Sequence, residues 1–94
     1  MRVKEYIEQL LKDPSEKRLK EAGKLLKMAS RKSGGSIAYE LKILSKEIGS
    51  LASFANPQAG IMYWSEDKRL NFIKNKVKNL SKAALNTEIP LKSD

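Results

Sequence analysis

Three features of the sequence predict an all-α fold, a compact bundle of about four helices with the third at its centre. Apolar residues recur three and four positions apart in four separate stretches, the spacing that lines one face of an α-helix. Proline and glycine divide those stretches at Pro14, at Gly34 and Gly35, and between Pro57 and Gly60, where regular structure is interrupted. The chain has 94 residues, enough for one hydrophobic core and too few for two.

The first helix is expected over residues 2–12, with Val3, Tyr6, Ile7, Leu10 and Leu11 on its apolar face. Asp13, Pro14 and Glu16 then read as a stop and a restart. Asp13 suits the N-cap, Pro14 the first helical position, and Glu16 the partner position of a capping box. The second helix follows over 14–31 and buries Leu19, Ala22, Leu25, Leu26 and Ala29. Ser33, Gly34 and Gly35 end it, and Ser36 is placed to cap the next.

The third helix is expected over 37–54. Ile37, Leu41, Leu44, Ile48 and Leu51 share one face, while Tyr39, Ile43 and Phe54 fall on another. A helix apolar on two faces is central in its fold or shared with a partner. Residues 56–60 form a loop, and the run Ile61, Met62, Tyr63, Trp64 suits a buried loop, a strand or an early helical turn equally. The fourth helix starts near Ser65, with Glu66 and Asp67 at its positive end. It continues to residue 85 through Leu70, Ile73, Val77, Leu80 and Ala84. A single domain over 1–85 and a flexible C-terminal tail over 86–94, with Pro90, complete the expected organisation.

Composition narrows the chemistry. The chain has no cysteine and no histidine, which removes disulfides, thiolate or imidazole metal sites, and Ser-His-Asp or Cys-His catalysis. No Asp/Glu pair stands out as a buried acid–base couple. A non-enzyme is expected, without metal, cofactor or small-molecule substrate. No run of 18 apolar residues occurs, so no membrane span is expected. The first residues mix charged with apolar side chains and lack the core of a signal peptide, which favours a cytoplasmic protein.

The net charge is +8, and its placement is uneven. Residues 14–35 carry seven basic and two acidic side chains, and residues 66–94 carry seven and four, while 1–13 and 36–65 each sum to zero. In the second helix Lys17, Lys20, Lys24, Lys27 and Arg31 form a stripe opposite Leu19, Ala22 and Leu26. It runs for about 21 Å at 1.5 Å per residue. Like charges at this spacing repel by a few tenths of a kcal/mol per pair, and a helix facing phosphates would carry such a stripe. The fourth helix presents Lys68, Asn71, Asn75, Lys78, Asn79 and Lys82 opposite its apolar face. Asparagine is a poor helix former that bonds phosphate oxygens or an adenine edge. Lysine-rich solvated faces are also common without any ligand, and shift with lysine and asparagine usage in thermophiles and A/T-rich genomes.

Three local patterns admit two readings each. Arg31 to Ser36 places basic residues and glycines ahead of a helix start, as a phosphate site or as plain helix punctuation without the P-loop pattern. Leu44 to Ser50 faintly resembles the start of a helix-turn-helix, which would break the third helix at Gly49, but Pro57 and Gly60 oppose a recognition helix after it. Tyr63 and Trp64 suit stacking on unpaired bases or a hydrophobic plug under the fourth helix.

The favoured expectation is a nucleic-acid binder that meets the phosphate backbone with the second and fourth helices, DNA ahead of RNA because basic helices fit the duplex major groove. Its expected contacts are Lys17, Lys20, Lys24, Lys27, Arg31, Lys68, Asn71, Asn75, Lys78 and Lys82. The alternative is an interaction or assembly subunit, as a homodimer or with another protein, through Tyr39, Ile43 and Phe54. Membrane-surface binding comes third, since the leucines beside the lysines are committed to the core.

Overall fold

The computed structural model describes residues 1–90, and their regular structure is helical apart from one bridge between Arg2 and Glu88. Five helices follow in order: α1 (Val3–Lys12), α2 (Glu16–Lys32), α3 (Gly35–Leu51), α4 (Glu66–Lys78) and the single-turn α5 (Lys82–Leu85). Two 3₁₀ segments, Ala52–Phe54 and Pro57–Met62, lie between α3 and α4. The fold is an all-α bundle built on one core.

That core is the set of stripes read from the sequence. Leu41, Leu44, Ile48 and Leu51 of α3 are closed to solvent, against Leu19, Ala22, Leu26 and Ala29 of α2, Val3, Ile7 and Leu10 of α1, Ile73 of α4 and Ala84 of α5. Helix α3 packs along α2 and also touches α4, α5 and the first 3₁₀ turn, so it is the central helix. Among the described residues no helix is long and apolar enough to cross a membrane.

The start of α2 and both ends of α3 differ from expectation. Ser15, not Asp13, caps α2, its hydroxyl accepting the Arg18 N–H at 3.4 Å. Pro14 is instead buried, and its carbonyl accepts the Arg69 guanidinium at 2.5 Å. Helix α3 begins two residues early because Gly35 takes φ 59°, which fixes the break at Gly34 and leaves Ser36 inside the helix. It then runs through Gly49 without a break to Leu51, so there is no helix-turn-helix at that place and Phe54 lies on the 3₁₀ turn beyond it.

The expected fourth helix is two helices. Ser81 starts α5 as its N-cap, accepting the Ala84 N–H at 3.2 Å. Glu40 of α3 holds Ser81 in place, accepting its backbone N–H and its hydroxyl, both at 2.8 Å. An N-cap residue is extended, and Ser81 at φ −70°, ψ 159° cannot continue a helix.

Residues 86–90 belong to the domain and are not a loose tail. The Val3 N–H donates to the Thr87 carbonyl at 2.8 Å, the Ile89 N–H donates to the Met1 carbonyl at 2.8 Å, and Ile89 is buried. The rest of the expected tail, 91–94, lies outside the described residues.

Candidate anion-binding groove

Helices α2 and α3 come into close backbone contact where each carries a glycine. A methyl group added to Gly23 would sit 3.0 Å from the Gly49 Cα and 3.3 Å from the Ser45 carbonyl oxygen. Ser45 is itself small and buried, its hydroxyl donating to the Lys42 carbonyl at 2.6 Å. With side chains absent at the crossing, an open groove of about 390 Å³ is left above it. Lys20, Lys24 and Lys27 of α2 form one wall, Lys42 and Lys46 of α3 the other, with Gly23, Ser45, Gly49 and Ser50 between them.

No carboxylate lines this groove. The four acidic residues of α2 and α3 are all engaged, and three of them are drawn to other elements. The Glu21 carboxylate accepts the Tyr6 hydroxyl at 3.1 Å, Glu40 holds Ser81, and Glu47 pairs with Lys76 of α4 at 2.6 Å. Glu16 stays on α2 and lies 3.8 Å from Lys20 at the groove's end. Among the described residues Lys24, Lys27, Lys42 and Lys46 form no ion pair. Burial and the adjacent Glu21 carboxylate push the Tyr6 phenol well above its ordinary pKa, so Tyr6 remains a donor to Glu21, which does not line the groove. Five ammonium groups lining one cleft concentrate positive potential there.

The sequence-expected residues divide around this groove. Lys20, Lys24 and Lys27 line it; Lys17 and Arg31 are exposed on α2 one turn beyond either end. Lys68, Asn71, Asn75 and Lys78 are exposed on α4, but no α4 residue lines the groove. Lys82 stands apart on α5, and Asn79 is the C-cap of α4, its side-chain amide donating to the Asn75 carbonyl at 3.4 Å. The structure therefore does not merge the α2 stripe with the α4 face; it joins the α2 stripe to α3. Lys42 and Lys46 were hidden because residues 36–65 sum to zero charge. Their spacing of four on one helix face, with glycines at 23 and 49, is the signal that marks them.

A second cleft, of about 250 Å³, lies on the other side of α3 and shares Lys46 and Ser50 with the groove. Its walls are Phe54, Trp64, Phe72 and Leu51, with Glu47 at its rim. Phe54 and Trp64 stack with centroids 5.1 Å apart, and Trp64 meets Phe72 edge-on at 5.6 Å. Lys68 stands 4.5 Å from the Trp64 ring centre and Lys76 5.3 Å from that of Phe72. The Trp64 N–H donates to the Phe54 carbonyl at 2.8 Å, which closes the intervening loop. Trp64 thus packs beside α4, while Tyr63 and the adjoining Ile61 and Met62 are exposed.

Of the three residues expected at a partner interface, Tyr39 and Ile43 are exposed one turn apart on α3, at 67% and 38%, whereas Phe54 is half-buried against Trp64. Among the described residues no group of three or more carboxylates is arranged to hold a metal ion.

Fold and site together define an all-α bundle with a lysine-walled groove at a helix crossing. Comparison with protein families, with characterised proteins and with solved structures returns no match to this chain.

Proposed function

We propose that this chain is a polyanion-binding module whose ligand is nucleic acid, with backbone phosphates held in the α2–α3 groove. The observation that carries the proposal is the convergence of Lys20, Lys24, Lys27, Lys42 and Lys46 on one cleft that no carboxylate lines. Holding five like charges together opposes folding in the absence of a counter-charge. Phosphates relieve that repulsion, and release of their condensed counterions drives binding. The role asks for no catalytic group. The α4 face, with Lys68, Asn71, Asn75 and Lys78, is a secondary surface in this reading. The groove addresses backbone phosphates, which DNA and RNA both carry.

Titration of the protein with labelled single-stranded DNA, duplex DNA and RNA at several salt concentrations tests the proposal. Affinity should fall with log salt, by about 0.7 per neutralised phosphate for single strands and about 0.9 for duplex DNA. Engagement of three to five groove lysines gives a slope of roughly −2 to −4. Absence of binding below about 100 μM at low salt, where non-specific binders already associate, rejects it.

Self-association is a second reading, favoured by the exposure of Tyr39 and Ile43 on neighbouring turns of α3. An Ile43→Glu variant should then shift a wild-type dimer to a helical monomer in light scattering. A wild-type monomer at all concentrations rejects that reading.

A further inference from the structure

We infer that the aromatic cleft between α3 and α4 receives an unpaired base of the same strand whose phosphates lie in the lysine groove, so that the ligand is a single-stranded nucleic acid. This rests on the phosphate groove proposed above and adds to it the state of the strand.

The two depressions share a rim, since Lys46 and Ser50 line both. A strand whose phosphate meets the Lys46 ammonium therefore has its neighbouring base at the mouth of the cleft. The cleft offers that base three aromatic walls, Phe54, Trp64 and Phe72. Its volume of about 250 Å³ falls below the roughly 300–1,000 Å³ typical of pockets for larger ligands, which suits one ring system and not a base pair. Lys46 stands at the rim and Lys68 over the Trp64 ring, and Lys76, over the Phe72 ring, is paired with the Glu47 carboxylate at 2.6 Å. Two lysines without a carboxylate partner among the described residues therefore border an aromatic pocket. A base attached to phosphate matches that combination of aromatic walls and lysine rim. Stacking on aromatic side chains beside a positive groove is how single strands are held without sequence preference. A base inside a duplex is paired and stacked, and cannot enter.

Trp64 is the chain's single tryptophan, so its emission reports on the cleft alone. The test compares a short oligothymidylate with inorganic polyphosphate, each titrated into the full-length protein at low salt, with binding followed independently by calorimetry. Both ligands should bind, and only the oligothymidylate should quench Trp64 emission. Phe72→Leu, checked for wild-type helicity, should weaken oligothymidylate binding about 5- to 150-fold, the range for loss of one stacked base. Its affinity for polyphosphate should stay unchanged. Lys46→Gln should weaken both. If the oligothymidylate binds without altering Trp64 emission, or duplex DNA of equal length binds more tightly, the cleft is not a base site and the phosphate groove still stands. If neither polyanion binds, both readings are overturned together.

Discussion

Gly23 and Gly49 face each other across the α2–α3 crossing, and a single methyl group at position 23 would lie 3.0 Å from the Gly49 Cα. The closeness is one-sided. A methyl at position 49 would meet Gly23 Cα at an ordinary 3.7 Å. The crossing sets the spacing of two lysine rows, so a packing detail in the core face determines the shape of a charged surface.

Gly23→Ala and Gly49→Ala should therefore part company. In a helix interior Ala is favoured over Gly by about 0.5–1 kcal/mol, and Gly49→Ala should be neutral or stabilising by that amount. Gly23→Ala must push the two backbones apart, and overpacking of this kind costs about 1–3 kcal/mol. Urea denaturation of the two variants checks the difference. Equal or greater stability for Gly23→Ala is the result that contradicts the tight crossing.

Arg69 is buried, with its guanidinium donating to the Pro14 carbonyl at 2.5 Å and to the Ser65 carbonyl at 3.4 Å. It ties the start of α4 to the turn between α1 and α2. Arg69→Met keeps much of the side chain's apolar stem and removes both bonds, leaving the Pro14 carbonyl without this partner. The expected loss is about 1.5–3 kcal/mol, the range for hydrogen bonds to charged groups. Because the partners are carbonyls and not carboxylates, the loss should be the same in low and high salt. A cost that disappears in high salt would indicate a surface electrostatic role instead.

Tyr6 gives the fold an alkaline limit. Its hydroxyl donates to Glu21, and burial, followed by the Glu21 charge, raises its pKa above the unfolded value of 10.0. The folded state thus favours the protonated phenol. The stabilisation is fully present below pH 10 and is lost as pH rises from the unfolded value toward the folded one. Tyr6→Phe should cost about 1 kcal/mol at neutral pH and show a shallower decline above pH 10 than the wild type. Denaturation midpoints measured across the alkaline range check this, and parallel declines would contradict it.

Much of the fold is legible from single residues. Leu41, Leu44, Ile48 and Leu51 announce a buried face by spacing alone, and all four are closed to solvent. Local pattern fails where a distant residue decides the outcome. The break at Ser81 depends on Glu40, 41 positions earlier in the chain. The docking of Thr87 to Ile89 depends on backbone groups of Met1 and Val3, which carry no pattern. Asp13, Pro14 and Glu16 fit a helix start, yet Ser15 supplies the cap, and the Pro14 carbonyl accepts a bond from Arg69, 55 positions later in the chain. The candidate site was half visible. The α2 lysines declare themselves as a stripe, whereas Lys42 and Lys46 join them only because Glu40 and Glu47 are drawn off to Ser81 and Lys76.

On the proposed function, phosphate binding belongs to the α2–α3 groove and not to basic charge in general. Two triple variants with equal loss of charge test it most directly, Lys24→Gln/Lys42→Gln/Lys46→Gln in the groove and, as the α4 variant, Lys74→Gln/Lys78→Gln on α4 with Lys82→Gln on the adjoining α5, three exposed lysines that line neither cleft. The measurement is the salt dependence of binding to one single-stranded oligonucleotide. The groove variant should bind much more weakly at low salt, with a slope flattened by about 2 units, three lysines at about 0.7 each. The α4 variant should keep a slope within about half a unit of wild type. Equal loss in the two variants, or greater loss in the α4 variant, would contradict a site built at the crossing of α2 and α3.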